Sequence, residues 1–151
     1  MKALSFRQPW AQLIVTGIPV IELSPPDEKG YQHIDLKQTK VAFKDIENRA
    51  WRLPARMRGQ RIYVHAAKRV DEAALFWLLR QGFPPIVVLP YFGDRVPKGA
   101  IVGEVDLEDC VTESPSGWFT GPYGFVLRNP CPYPMPIPCK GQRGFFEPEI
   151  S

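Results

Sequence analysis

Hydrophobic residues along this chain change period several times, and each change marks an element. Ala3-Leu4-Ser5-Phe6 reads as a short strand. From Pro9, a residue suited to a first helical position, the spacing turns helical. Trp10, Leu13 and Ile14 share one face, and Gly17 is placed to stop the helix. Residues 19–43 are polar and irregular, with a loop tip at Ser24-Pro25-Pro26-Asp27-Glu28-Lys29-Gly30. A strand through Ile46 and a basic connector from Arg52 to Gly59 follow. In Arg61–Ala66, alternation puts Ile62, Val64 and Ala66 on one face and Arg61, Tyr63 and His65 on the other. Asp71 and Glu72 open a second helix, with Leu75, Leu78 and Leu79 on its buried side and Gly82 as its stop. Residues 83–98, with Pro84, Pro85, Pro90 and Pro97, read as a loop.

The C-terminal third returns to a period of two. In Ala100–Leu107, Ile101, Val105 and Leu107 share a face opposite Val102, Glu104 and Asp106, and Phe125-Val126-Leu127 forms a further strand. Prolines then occupy every second position from Pro130 to Pro138. In an extended chain alternate N–H groups point the same way, so the five missing donors lie along one edge. The segment therefore reads as a protected edge strand, with Cys131, Tyr133, Met135, Ile137 and Cys139 left free to pair on the other side. Short strands, two helices and many turns predict an α+β fold, a compact antiparallel β-barrel with flanking helices.

Composition narrows the class. A chain of 151 residues with 44% hydrophobic positions fits a single domain over 1–151 with a sizeable core. Its 17 prolines disfavour a helical bundle. No apolar run reaches the length of a membrane span, and the N-terminus lacks the apolar centre of a signal peptide, so no membrane partner and a cytoplasmic location are expected. The three cysteines, Cys110, Cys131 and Cys139, lack paired spacing and stand far from His33 and His65. They read as reduced core thiols, with no metal and no cofactor expected.

Charge changes the picture more. Net charge is +3 overall, but residues 1–69 hold 13 Lys/Arg against 6 Asp/Glu, while residues 70–151 hold 6 against 10. Within 44–69 alone, eight cations face only Asp45 and Glu47. A field so concentrated attracts anions, phosphates above all.

Three clusters join a cation to an aromatic or amide side chain. They are Ser5-Phe6-Arg7-Gln8-Pro9-Trp10, Lys44-Asp45-Ile46-Glu47-Asn48-Arg49-Ala50-Trp51, and Tyr63-Val64-His65-Ala66-Ala67-Lys68. Arginine forks onto phosphates or base edges, and Trp or Tyr stacks on bases. Against this, Trp10 also suits the apolar helix face and His65 a satisfied polar group at a strand end. Lys44 and Glu47 would form an acid/base pair if burial shifts their pKa values, with Glu104 as a second carboxylate. An ideal strand would share Glu47 and Arg49 on one face and turn Lys44 to the other, so a joint site requires a bend between Lys44 and Glu47. The competing reading is a Glu47–Arg49 ion pair that merely orders the rim. Ser114 and Ser116 are possible nucleophiles without a visible base.

Residues 3–17, Ala-Leu-Ser-Phe-Arg-Gln-Pro-Trp-Ala-Gln-Leu-Ile-Val-Thr-Gly, resemble the opening of an ASCH domain, the activating-signal-cointegrator homology domain. That family's signature is Gly-x-Lys-x-x-Glu-x-Arg. Removing residues 19–43 joins Gly17-Ile18 to Lys44-Asp45-Ile46-Glu47-Asn48-Arg49 and restores it, so the chain resembles an ASCH domain with a 25-residue insertion inside the signature. A weaker copy, Gly17 to Ser24, has Pro19 at the lysine position and Ser24 at the arginine position. The resemblance continues through Arg58-Gly59, Val64-His65-Ala66-Ala67-Lys68, Gly99 to Val105, and Trp118-Phe119-x-Gly121-Pro122-Tyr123-Gly124. It implies a PUA-like fold, a small barrel with a cleft lined by Lys44, Glu47 and Arg49, and RNA or nucleotide-like ligands. Ser5, Arg7, Gln8, Trp10, Trp51, Arg58, His65, Lys68, Trp118 and Tyr123 join them as candidate binding residues. Some members of that family are amidohydrolases of acetylated cytidine, using a lysine, a threonine and a glutamate, or are ribonucleases. Glu47 stands at the threonine position and has no hydroxyl.

The insertion is expected to form a two-stranded arm from Val20-Ile21-Glu22-Leu23 and Lys40-Val41-Ala42-Phe43, bringing Tyr31, His33 or Lys37 to the ligand. Two functions remain in view: an RNA- or nucleotide-binding protein using a basic cleft, or an enzyme acting on RNA or a modified nucleoside. A third, an interaction domain without a nucleic-acid role, is disfavoured by the charge block. No phosphate loop or Gly-x-Ser-x-Gly elbow decides between the first two.

Overall fold

The structure is a computed structural model that describes residues 1–34 and 40–150. It is a mixed strand-and-helix fold built on one five-stranded sheet. The elements run β1 (Ala3–Gln8), α1 (Trp10–Val15), β2 (Ile18–Val20), β3 (Lys40–Ala42), β4 (Ile46–Arg49), β5 (Arg61–Val70), α2 (Ala73–Arg80), α3 (Pro85–Val88), β6 (Ala100–Val111) and β7 (Tyr123–Pro138), with short 3-10 turns at Ala55–Met57 and Leu89–Phe92. None of the described helices is long and apolar enough to cross a membrane.

Sheet order is β1-β5-β6-β7-β4. This corrects the antiparallel barrel in two respects. β1 pairs parallel with β5, Ser5 opposite His65, because the chain leaves β1 through α1 and crosses over before returning. Among the described residues no ladder joins the edge strands β1 and β4, so the sheet is not hydrogen-bonded into a closed cylinder. One side chain spans that seam: Arg49 of β4 donates from Nη2 to the Ser5 carbonyl of β1 at 2.8 Å.

One face of the sheet packs on α1 through Leu4, Phe6, Ile14, Val15, Ile62, Val64, Val105, Leu107 and Phe125. A second cluster joins the far side of α1 to α2 and α3 through Leu13, Ile18, Leu78 and Val88. Ile101 is buried as expected but sits in a third cluster, with Ala3, Cys139 and Phe146, while Val102 joins the main core. Register shifts between Val64 and His65 and between Ile101 and Gly103 reverse the side-chain parity along β6.

Residues 83–98 are more ordered than a loop. Pro85 stands in the first turn of α3 and Pro90 in that of the following 3-10 turn, where a missing N–H costs nothing. The stretch expected as two strands is the single strand β7, which turns at Asn129 (φ 53°) and shifts register there. Beyond Asn129 it pairs, among the described residues, only with β6, so its proline-bearing side is a sheet edge. The cysteines do not share an environment: Cys139 is buried, Cys110 half-buried, and Cys131 exposed rather than on an apolar face.

β2 and β3 pair antiparallel, Ile18 opposite Ala42, and Leu23 bridges Ile34. Tyr31 and His33 are exposed, and Lys37 lies outside the described residues.

Candidate functional site

The site forms where the sheet's two edges approach. Lys44 belongs to no strand. Its amide donates to the Leu13 carbonyl of α1 at 3.1 Å, and the Asp45 carbonyl accepts from Leu127 N at 2.9 Å. Held from both sides, the chain bends before β4 begins, and the Lys44 side chain reaches the same side as Glu47. Lys44 Nζ donates to the Ile46 carbonyl and to Glu47 Oε1, the latter at 3.3 Å. Glu47 Oε2 accepts from Arg49 Nε at 3.2 Å and Nη2 at 3.0 Å. Lys44 is 4% and Glu47 7% exposed while Arg49 is half-buried, so a buried Lys44–Glu47 pair is joined by Arg49 from its more open side. Burial pulls the Lys44 ammonium below the ordinary lysine range, against the opposing pull of Glu47.

Aromatic rings wall the triad. Lys44 Nζ lies 5.3 Å from the Trp10 ring centroid, and the Arg49 guanidinium lies 5.4 Å from Phe6 and 5.7 Å from Trp51. Trp10 meets Trp77 of α2 edge-on at 5.7 Å, and Trp77 leans on Trp118 at 5.5 Å. Trp10 is fixed by its Nε1 bond to Asp71 Oδ2 at 2.9 Å. Asn48 fixes Trp118: its Nδ2 donates to the Trp118 carbonyl at 2.9 Å, and its Oδ1 accepts from Thr120 N at 2.8 Å and Gly121 N at 3.0 Å.

These residues line a cavity of about 920 Å³, within the range of small-molecule sites. Among the described residues its walls carry five cations, Arg7, Lys44, Arg49, Arg80 and Arg143, against the carboxylates of Glu47 and Asp71. Of the residues expected from sequence, Ser5, Arg7, Trp10, Lys44, Glu47, Arg49, Trp51 and Trp118 line it. Trp10, which also suited a core position, is half-buried in its wall.

The others go elsewhere. Gln8 is a buried strut, donating to the Pro97 carbonyl at 2.7 Å and accepting from Gln12 N at 3.0 Å. Arg58 is drawn to Asp109 at 2.9 Å on the exposed surface. Tyr123 lies beneath Arg52, 5.2 Å from its guanidinium. Glu104 points to the opposite face of the sheet, accepting from Arg61 Nε and Tyr133 Oη, both at 2.5 Å; the β6 parity that carries it there removes it from any acid/base role beside Lys44. Ser116 donates to Asp45 Oδ1 at 2.6 Å, far in function from a nucleophile. His65 and Lys68 line an adjoining cavity of about 760 Å³ that shares Ser5, Ala67, Gln142 and Arg143 with the first.

Sequence reading missed Asn48, Asp71, Trp77, Arg80, Thr120, Gln142 and Arg143 as site residues. Ala73, Trp77 and Arg80 do form a second helical stripe beside the leucine face, a signal hidden by attention to the apolar one. Gln142 and Arg143 lie in a coil with no period to read. No family model matches this chain, and no curated protein matches it.

Proposed function

We propose that the protein binds a nucleotide, free or within RNA, in the cavity above Lys44, Glu47 and Arg49. The observation that carries this reading is the pairing of a three-tryptophan wall, Trp10, Trp77 and Trp118, with walls that hold five cations to two carboxylates. A base stacks on indole faces, at about 1–3 kcal/mol per base, while Arg7, Arg80 and Arg143 offer forked donors to phosphate. The Lys44–Glu47–Arg49 triad acts as a preset floor whose remaining donors read the ligand's polar edge. The Gly-x-Lys-x-x-Glu-x-Arg resemblance to ASCH domains leads to the same ligand class. On that reading the sheet is a PUA-like barrel opened at one seam, and the Arg49–Ser5 bond is the stitch across it.

Titration with nucleosides, nucleoside monophosphates and short single-stranded RNA, read by tryptophan fluorescence, tests this. Quenching that strengthens when phosphate is added to the nucleoside supports it. No saturable quenching with any of the three at low salt defeats it.

A second reading, an enzyme on RNA or a modified nucleoside, is favoured by one observation: Lys44 is buried, its pKa lowered, and in contact with a carboxylate. That arrangement suits proton transfer. Product formation from acetylated cytidine or RNA that disappears in Lys44→Met would establish it.

A further inference from the structure

We propose that Ser5 and His65 form a nucleophile–base pair that hydrolyses carboxylic esters whose alcohol half carries a phosphate. The proposal is independent of nucleotide binding in the main cavity.

Ser5 and His65 are register partners on the parallel strands β1 and β5, so their side chains leave the sheet on the same face. Ser5 Oγ lies 2.7 Å from His65 Nδ1, and His65 Nε2 lies 2.7 Å from the Cys139 carbonyl oxygen. A carbonyl only accepts, so Nε2 must carry its hydrogen. In the neutral ring Nδ1 then holds the lone pair, and the Ser5 hydroxyl donates to it. Nucleophile, base and an orienting acceptor thus stand in hydrogen-bonded sequence, the arrangement that activates a serine. His65 is 2% exposed, and its ring meets Phe146 edge-on at 5.8 Å, so its orientation is locked. The Ser5 backbone is fixed by the Arg49 bond to its carbonyl.

Ser5 nevertheless lines both cavities, at their junction. Access depends on Gly141: a Cβ there would stand 2.7 Å from His65 Cε1 and 3.1 Å from Ser5 Oγ. Among the described residues, the cavity on the His65 side is lined by Lys68, Arg69, Lys140 and Arg143 and by no carboxylate. An alcohol bearing a phosphate fits that charge, with its ester carbon presented to Ser5.

The chemistry closes on these groups and water. As Ser5 Oγ bonds to the acyl carbon, its proton passes to Nδ1. The ester C–O bond breaks, and the Nδ1 proton goes to the departing oxygen, freeing the alcohol and leaving acyl-Ser5. Water repeats the exchange, releasing the carboxylic acid and restoring the serine. Throughout, the Nε2–H bond to the Cys139 carbonyl steadies the imidazolium.

Incubation of the full chain with a fluorophosphonate, read by intact mass and peptide mapping, should give one adduct on Ser5 and none on Ser5→Ala. Gly141→Ala leaves both reacting residues present but crowds them, and should slow labelling by about 100-fold, the scale of a displaced general base. Acetylglycerol phosphate should be hydrolysed faster than acetylglycerol by about tenfold, the scale of one charge-assisted contact, and Lys68→Ala with Lys140→Ala should erase that preference. No adduct on Ser5, or ester hydrolysis that persists in Ser5→Ala, overturns the proposal. Labelling without any preference for the phosphorylated ester overturns the substrate class.

Discussion

Lys44 Nζ and Glu47 Oε1 lie 3.3 Å apart although an ideal strand would turn their side chains to opposite faces. The bend at residues 43–45, tied to α1 by the Lys44 amide and to β7 by the Asp45 carbonyl, brings them together. Removing one member leaves a buried charge without its partner, at a cost of about 3–5 kcal/mol. Glu47→Gln should therefore lower stability strongly, as read by urea denaturation. The double variant Lys44→Met with Glu47→Leu should lose much less than the sum of the single losses.

Burial of Lys44 makes stability depend on pH in an unusual direction. A lysine whose folded pKa lies below its unfolded value of 10.5 holds fewer protons folded than unfolded. Unfolding then takes up protons, so this residue's contribution to stability rises with pH through its folded pKa and levels off near 10.5. Denaturation midpoints compared across alkaline pH should show that rise in the native chain and not in Lys44→Met, after the background slope common to both is subtracted.

Glu104 gives the opposite limb. Its hydrogen bonds with Arg61 and Tyr133 hold its carboxyl below the usual 4.5, so its stabilisation is present above that pH and is lost as pH falls through the folded value. With Glu104 and Arg61 partly open to water, the gain is under about 1 kcal/mol. Glu104→Gln should lower the melting temperature slightly at neutral pH and not in strong acid. Ligand affinity should stay unchanged, because Glu104 faces away from the cavity.

Asn48 makes three hydrogen bonds to the loop that carries Trp118. At about 1 kcal/mol each, Asn48→Ala should cost about 2–3 kcal/mol and loosen the tryptophan wall. The expected outcome is a larger loss in ligand affinity than in folding cooperativity, measured by fluorescence titration beside thermal melting. Equal affinity in a folded Asn48→Ala variant would remove Trp118 from the binding surface.

Salt dependence separates cavity cations from surface ones. If Arg80 and Arg143 neutralise phosphates, Arg80→Ala and Arg143→Ala should each reduce the slope of log affinity against log salt for single-stranded RNA by about 0.7. Arg58→Ala should leave the slope unaltered, because that guanidinium is engaged with Asp109 outside the cavity.

Much of the scaffold was legible in the residues themselves. Period-two runs located β5 and β6, three-and-four spacing located α1 and α2, and alternating prolines marked an edge, because all of these follow from local backbone geometry. So was the core of the candidate site: Lys44, Glu47 and Arg49 lie within six residues, and the requirement for a bend between them follows from strand parity alone. What local pattern did not carry was decided by distant contacts. A one-residue register shift sent Ile101 to the face opposite Val105 and Leu107, with which it was expected to pack. Trp77, Arg80 and Arg143 reached the cavity from a helix and a coil far along the chain, and Ser5 met His65 only because β1 lies parallel to β5. Strand pairing and bulges are properties of two segments at once, so no single segment states them. They emerge when burying one apolar face selects a register, and that register sets which polar groups share a site.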